Sequence, residues 1–475
     1  SLADITVSGA DSIRRVKILA HKTGYSDIKL TVSDGTDSSV YVLKFAASED
    51  TLMAAKSVWH TGISDASAAI AIDADYYIAG DDELNLLNVY SRKHSGMPLV
   101  SYEYTAGLSL PNPSKPEVDL EAGAMSYKNK GRMYWLGSMS NGKAPFDAKP
   151  NRDRIFATKV SGTAAATSFT TVGYAALKTS LLAWGDANGY NFTASAAAGV
   201  DSKLPGGFAA EGMVFGPDST TLYLALRAPL VPVTARKYAL IVPVKNFETW
   251  FNDGSPSGAP VYGAPIELNL GGRGVRDITR MSDGTYIIVA GNVGGSPLAG
   301  ALYKWTGKAT DTAIAVPAAN AEKLNLEGVM EITAGSAGSL QLITDNGDDE
   351  LYRDGAPMKD FGALILRKFR SVVFESLDLS IAPPPAGIAG TGIDPLLRVF
   401  PNPAQGTAHL EFYTPGAEAY RLTLTDLQGR IVWEQSGTSE AGTNSVRMKT
   451  NAAQGVYILK LNRAAARSAM KLVIE

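Results

Sequence analysis

A short pattern recurs along the middle of the chain: an acidic residue, small or apolar neighbours, a turn, then a strong apolar run. It appears at Glu121-Ala122-Gly123-Ala124-Met125 before Met133–Leu136, and at Glu211-Gly212-Met213-Val214-Phe215 before Leu222–Leu226. It returns at Asp277-Ile278-Thr279 before Tyr286–Val289, and at Glu327-Gly328-Val329-Met330 before Leu340–Ile343. A fifth copy, Ser67–Ala71 before Tyr76–Ala79, has Ser67 in the acidic place. One such unit cannot bury both faces of its sheet, so repeated units must cover one another. The uneven spacing of the copies fits variable loops between blades better than a tight solenoid. Residues 51–380 therefore read as a β-propeller of five blades, with six left open. The 47 glycines and 24 prolines are scattered throughout, and amphipathic helical runs are hard to find, so the fold class is all-β.

There is no cysteine, which excludes disulfides and cysteine-ligated metals. Stability must come from core size alone, and 475 residues can supply it. A net charge of −3 with 19% charged residues lacks the basic stripe of a nucleic-acid binder. No apolar run reaches the roughly 20 residues of a bilayer-spanning helix. The chain starts at Ser1 with no signal peptide; if it is exported, an export signal is expected to have been removed, or the chain to begin inside a longer precursor.

Both ends read as further modules. Residues 1–50 carry a hairpin, Ile28–Gly35 followed by Val40–Phe45, that resembles the last strands of a cadherin-like or Ig-like surface domain. Fifty residues fall short of the roughly 100 of a full sandwich. Three options follow: an abbreviated module leaning on the propeller, first strands lying upstream, or a strand supplied by another chain. Residues 381–395, with Pro383-Pro384-Pro385, read as a linker, stiff and then flexible. In residues 396–475, apolar residues alternate at Tyr420–Thr425, Val456–Leu461 and Met470–Ile474, as half-buried strands require. Asp426–Arg430 is a hairpin turn between two such runs, and Pro401 and Pro403 force an extended, turned entry. The result is a small antiparallel sandwich. The order Pro401-Asn402-Pro403, Asp426-x-x-Gly429-Arg430, Gly455-Val456-Tyr457 and a terminal basic-apolar strand resembles the C-terminal sorting domain of type IX secretion cargo in Bacteroidetes. That resemblance implies transport across the outer membrane by the type IX machinery, to the cell surface or the medium. It says nothing of what the chain does there.

The middle region resembles a family of uncharacterised bacterial propellers, in the style of esterase-like and phytase-like propellers. The segments that carry this include Ile78–Asn85, Asp119-Leu120-Glu121, Asn151–Ala157, Ala210-Glu211-Gly212, Arg227–Leu230, Gly271–Ile278, Ala301–Trp305 and Asn325–Gly328. They span nearly all of the propeller. One residue stands inserted before the glycine at Glu121-Ala122-Gly123. The resemblance implies a fold and no defined reaction.

If the recurring acids begin equivalent inner strands, Glu121, Glu211, Asp277 and Glu327 converge on one mouth of a central channel. Converging carboxylates repel unless protonated, paired or metal-bound. Arg227 and Arg276 lie near in sequence, and Arg273 and Arg154 could join them. Blade-to-blade ion pairs would stitch the ring with no ligand. The same groups could instead hold a cation or an anionic ligand, and forked guanidiniums suit carboxylate and phosphate alike. Calcium is the metal such oxygens favour, with Glu211, Glu327, Asp345 and Asn346 as candidate ligands. The acidic loops Asp345–Glu350 and Gly80–Glu83 have oxygens at short spacing but no EF-hand pattern, and also read as solvated turns. The four histidines, His21, His60, His94 and His409, fall in different modules or loops, and no nucleophile elbow or zinc spacing occurs. Gly271–Gly274 is too short for a dinucleotide fingerprint.

An insertion at 181–208 carries Trp184, Tyr190 and Phe208, which either pack their own loop or stack on sugars. Asp-Ser/Thr-apolar triplets at Ser12, Thr51, Ser219 and Thr312 resemble the Bacteroidetes O-glycosylation signal. The resulting expectation is a secreted binding or structural module, whose partners are a cell-surface polysaccharide or copies of itself. Its rivals are a calcium-dependent hydrolase of phosphate or carboxylate esters, acting through Glu211, Glu327, Asp277, Arg227 and Arg276, and a self-assembling filament or surface-layer subunit.

Overall fold

In the computed structural model the described residues are 2–10, 13–48, 52–53, 56–252, 255–294, 298–332, 338–379, 397–414, 417–426, 430–440, 442–463 and 467–475. The expected linker at 381–395, Ser12, Thr51 and the centre of the Asp426–Arg430 turn lie outside them. The chain divides into two compact units, Ser1–Ile381 and Ala382–Glu475.

The first unit opens with two hairpins, β1 (Ala3–Ser8) with β2 (Arg15–Ala20), and β3 (Gly24–Ser33) with β4 (Ser38–Ala47). Each is a separate two-stranded sheet. The strand β5 (Ser57–Thr61) follows, and then β6 (Ala66–Ala71), β7 (Tyr76–Asp81), β8 (Leu86–Ser91) and β9 (Val100–Glu103) form a four-stranded antiparallel sheet. The second sheet is β10 (Leu120–Met125), β11 (Arg132–Gly137), β12 (Ile155–Ser161) and β13 (Ser168–Ala175). The third takes β14 (Ala209–Phe215), β15 (Leu222–Ala228), β16 (Ala239–Val244) and β19 (Ile266–Leu268), with the two-residue strands β17 (Phe251–Asn252) and β18 (Ser255–Pro256) paired apart from it. The fourth is β20 (Gly274–Arg280), β21 (Tyr286–Gly291), β22 (Ala301–Trp305) and β23 (Ile314–Val316). In the fifth, β24 (Leu326–Glu331), β25 (Leu340–Thr344) and β26 (Lys368–Phe374) take β5 as the outer strand, with Arg370 opposite Trp59.

The five recurrences of the sequence pattern are the first two strands of these five sheets. Each first strand lies beside that of the next sheet, and β24 lies beside β6. Every neighbouring pair of sheets shares its own apolar core. Trp135 and Phe156 of the second sheet pack with Ile78 and Leu87 of the first. Tyr134 meets Met213 and Phe215, Ala225 and Ile241 meet Ile278 and Ile288, and Val289 meets Val329 and Leu342. The last core returns to the start, with Phe369, Ile343 and Met330 against Tyr77, Ala79 and Tyr90. Because both faces of each sheet are covered, second strands read as unbroken apolar runs, and Met133-Tyr134-Trp135-Leu136 is buried throughout.

One element departs from the sequence reading. Within the insertion, α1 (Lys178–Ala187) and α2 (Phe192–Ser195) are helical. Only Leu181 and Gly185 of α1 are buried, so no 3.6-residue apolar stripe betrays it. Gly185 is required, since a Cβ there would stand 2.0 Å from the Phe192 ring. Asp153 Oδ1 accepts the amides of Leu177 and Lys178 at 2.9 and 3.0 Å, placing a carboxylate at the helix start. Trp184, Tyr190, Phe192 and Phe208 form one aromatic run, with Phe192–Phe208 at 5.2 Å, so these rings pack the insertion onto its own unit. A third helix, α3 (Phe247–Trp250), is a single turn.

In the second unit, β27 (Arg398–Phe400), β28 (Thr407–Thr414) and β31 (Gly442–Lys449) form one sheet. The other contains β29 (Ala419–Thr425), β30 (Ile431–Thr438), β32 (Gly455–Arg463) and β33 (Arg467–Ile474). Leu410 and Phe412 of one share a core with Leu422, Leu459 and Leu472 of the other. Asn402 fixes the chain's entry, donating to Lys471 O and accepting from Val473 N, both at 2.9 Å.

Candidate functional site

The geometry of the site begins with a backbone irregularity shared by all five inner strands. Each carries one residue with no partner on the second strand: Ser67, Glu121, Glu211, Arg276 and Glu327. Such bulges re-aim a side chain near a strand end. This register corrects two details of the sequence reading. In the fourth sheet Arg276 takes the recurring position, and Asp277, paired with Val289, stands one residue further on. In the second sheet nothing is inserted: Ala122 pairs with Leu136 just as Gly212 pairs with Ala225 and Gly328 with Ile343.

Arg276 serves as a clamp. Its Nη1 lies 3.2 Å from Glu211 Oε2 and 2.9 Å from Glu327 Oε1, tying the fourth sheet to the third and fifth. Arg227 Nη1 donates to Glu211 Oε1 at 2.9 Å. Burial alone would raise Glu211, but Arg227 and Arg276 together hold it below the usual range. Glu327 has a smaller share of that charge, and burial pushes it up to about 8. Asp277 is drawn away from this group. It accepts its own Ile278 amide and the Val329 amide, each at 2.8 Å, while burial pushes it up to about 7.

A second group of acids faces this clamp. Asp82, Asp119 and Glu121 bring carboxylate oxygens within 4.8 Å of one another, and so do Asp65, Asp81 and Asp82. Asp119 is the best neutralised. Arg152 Nη1 is 2.8 Å away, and Ser138 and Ser140 donate to Oδ2. Arg152 also pairs with Glu117. Asp81 accepts the amides of Asp65, Glu83 and Leu84, yet burial and then Asp65 push it up to about 8. Asp65 rises to about 6 through burial, against a hydrogen bond from Ser64. Asp82 differs, because among the described residues its buried Oδ1 has no hydrogen-bond partner. Burial, then Glu121 and Asp119, raise it well above the carboxylate range. Burial and the charges of Glu211, Asp119 and Glu327 do the same to Glu121.

The other expected ligands hold hydrogen bonds of their own. Asp345 accepts from Gly347 N and Asn325 Nδ2. The Asn346 side chain closes its loop, accepting from Thr344 and donating to Asp349. Among the described residues Glu211, Glu327 and Asp345 do not bring carboxylate oxygens within 4.8 Å of one another, although Asp345 is near enough for its charge to raise Glu327. Arg273 donates to Ala299 O, and Arg154 to Leu108 O and Ser109 O, so neither pairs with the recurring acids. Sequence reasoning missed Asp65, Asp119 and Arg152 as site residues. The visible signals were Asp119-Leu120-Glu121 and the Gly80–Glu83 loop, which lie far apart in the chain. Of the described glycosylation candidates, Thr312 is exposed, whereas the Ser219 hydroxyl accepts Arg280 Nη1 at 2.8 Å.

Several solved structures are similar in outline. The PQQ-bound aldose sugar dehydrogenase of Streptomyces coelicolor is 13% identical, with 68% of this chain and 100% of that chain covered at a TM-score of 0.30. Virginiamycin B lyase of Staphylococcus aureus is 12% identical, covering 67% and 99% at 0.29. Dimeric latent PorU of Porphyromonas gingivalis is 10% identical, covering 92% and 35% at 0.18. No curated protein matches this chain. Residues 398–475 match the family model for the secretion system C-terminal sorting domain, and that tail assigns the protein to the extracellular space or the outer cell surface.

Proposed function

We propose that the chain is an exported binding module: a closed five-bladed propeller whose channel mouth takes a divalent cation of the calcium class. The ring reading is supported by the five shared cores and by β5 completing the fifth sheet. One observation carries the cation reading. Asp82 Oδ1 is buried with no hydrogen-bond partner among the described residues, beside Glu121 and Asp119, in a mouth where carboxylates outnumber guanidiniums. The residue is half-buried, and a carboxylate oxygen shut away from water without a partner costs stability unless it is protonated or met by a cation. Hard oxygen donors from Asp82, Asp119 and Glu121 suit calcium, which leaves coordination positions for water or an anionic partner. A surface polysaccharide bearing carboxylates has that chemistry. The hydrolase reading has less support, because Glu211 and Glu327, its proposed working acids, are engaged by Arg227 and Arg276.

The test is calorimetric titration of the protein with calcium chloride, with magnesium as comparison. Saturable calcium binding that Asp82→Asn weakens by at least about tenfold is the expected result. Absence of binding to the folded wild type, or unchanged affinity in folded Asp82→Asn, would refute the reading.

A further inference from the structure

Beside the acid cluster of the first sheet lies a pocket of about 250 Å³, framed by three loops. Glu83 and Leu84 come from the turn after β7, Lys143 from the loop between β11 and β12, and Lys359, Asp360 and Arg367 from the loop between β25 and β26. Burial dominates the shifts of Asp65 and Asp81, yet the charge of Lys359 reaches the first and that of Arg367 the second. The lysines are loosely held. Lys143 Nζ lies 3.2 Å from Glu83 Oε1, with its side chain 80% exposed, and Lys359 pairs with the exposed Asp348. Solvent-exposed pairs of this kind add little stability, so their lysines exchange partners easily. The hydrogen bond from Lys359, then the charges of Lys143 and of Lys203 from the insertion, hold Asp348 below the usual carboxylate range, so positive charge gathers at this lip. Arg367 is placed differently. Its Nε donates to Phe361 O at 2.8 Å and its amide to Leu364 O at 3.0 Å, which fixes the side chain at its base. Among the described residues its two Nη atoms have no hydrogen-bond partner, whereas Arg152, Arg227 and Arg276 are all paired with carboxylates.

We infer that this pocket takes a carboxylate or phosphate group carried on a surface glycan, and so supplies the anionic partner of the cation mouth. The inference deepens the cation reading and rests on it. An uncommitted guanidinium fork matches the paired oxygens of either group. Lys143 and Lys359 stand on the same wall and can turn from their surface acids to a ligand oxygen. A neutral sugar would meet none of this charge, and a cationic ligand would oppose three positive side chains. The volume falls short of whole-ligand sites, about 300–1,000 Å³, so it suits one unit of a chain that continues outside. The tail's assignment to the outer surface brings glycans to this pocket. The acids of the mouth repel an incoming anion while they are charged. A bound calcium removes that repulsion and has coordination positions open to the ligand's oxygens. Binding of the anion should therefore depend on calcium.

Trigalacturonate is a suitable probe, titrated calorimetrically into the intact, calcium-loaded chain against a protein-free blank. Glucose 6-phosphate, maltotriose and triglutamate serve as comparisons. Saturable binding of trigalacturonate is expected, at least about tenfold weaker when chelator replaces calcium. Maltotriose should give no signal. A preference for glucose 6-phosphate would make phosphate the recognised group, and either anionic sugar supports the site. Arg367→Met removes the fork and should weaken the preferred sugar by at least about tenfold. Lys143→Met, at an exposed position, should weaken it less. Both variants should fold, as circular dichroism would verify, and both should still bind calcium. If the wild type binds no calcium, the cation reading falls and this inference with it. If calcium binds and neither anionic sugar does, this inference alone falls. Equal binding of maltotriose, tighter binding of triglutamate, or wild-type affinity in folded Arg367→Met would also overturn it.

Discussion

At the scale of single residues, the clamp at Arg276 decides how the recurring acids behave. Removing it leaves Glu211 and Glu327 buried with one cation fewer, and breaking such a pair typically costs about 3–5 kcal/mol. Arg276→Met should therefore lower unfolding free energy by about that much in urea titrations. Glu121→Gln makes the contrasting case. Glu121 already favours its protonated form, so the amide replaces a group that is neutral in the folded state. Its effect should stay within about 1 kcal/mol and lean towards stabilisation. Equal losses in the two variants would contradict this division of roles. The same residues show where the sequence could be read and where it could not. Glu121, Glu211 and Glu327 are recoverable from their repeated neighbours. Arg276 was placed beside the pattern because a bulge shifts a residue without altering the letters around it. Asp277 looked equivalent only because an acid stood one position away.

At the scale of elements, β5 is the strand on which the fifth sheet depends. It comes from before the first sheet, pairs with β26 and carries His60 into the core between Tyr77, Tyr90 and Phe369. Sheets built from one continuous stretch could be read as strand–turn–strand signals. A strand separated from its partner by some 300 residues of intervening chain could not, since pairing at that range leaves no local trace. The helix α1 was illegible for another reason, its buried face being two residues wide. The preceding hairpins contribute less. Lys368 Nζ donates to Ala46 O at 3.0 Å, and Tyr25 meets Tyr352 and Phe361 edge-on. Deleting residues 1–48 should cost about 1–3 kcal/mol and preserve a cooperative melt. Extending the deletion through Thr61 removes β5 and should abolish cooperative melting. A cooperative transition in the longer deletion would show that β26 tolerates an open edge. The hairpins also leave Val32 73% and Tyr41 66% exposed, beside unpaired strand edges. Concentration-dependent assembly on sizing columns would support the filament reading drawn from residues 1–50. A monomer at all concentrations would remove it.

At the scale of the whole molecule, the mouth couples acid–base balance to stability. Asp81 and Glu327 titrate near 8, Asp277 near 7 and Asp65 near 6 in the folded chain. Their unfolded values lie near 4. Between those limits the folded state keeps protons that the unfolded state releases. These acids therefore support folding fully below about pH 4, and that support is lost as pH rises towards about 8. His60 acts in the other direction: burial holds it near 3, so its contribution is lost as pH falls below about 6.5. A cation at Asp82, Asp119 and Glu121 must displace protons to bind, which makes its effect the mirror of the carboxyl trend. Calcium should therefore raise the melting temperature more at pH 8 than at pH 5, recovering stability that deprotonation removes. Differential scanning calorimetry at both pH values, with calcium or with chelator, measures this directly. Asp82→Asn should flatten the difference. A calcium shift equal at the two pH values, or larger at pH 5, would mean that the acids at the mouth neither titrate nor bind as a group.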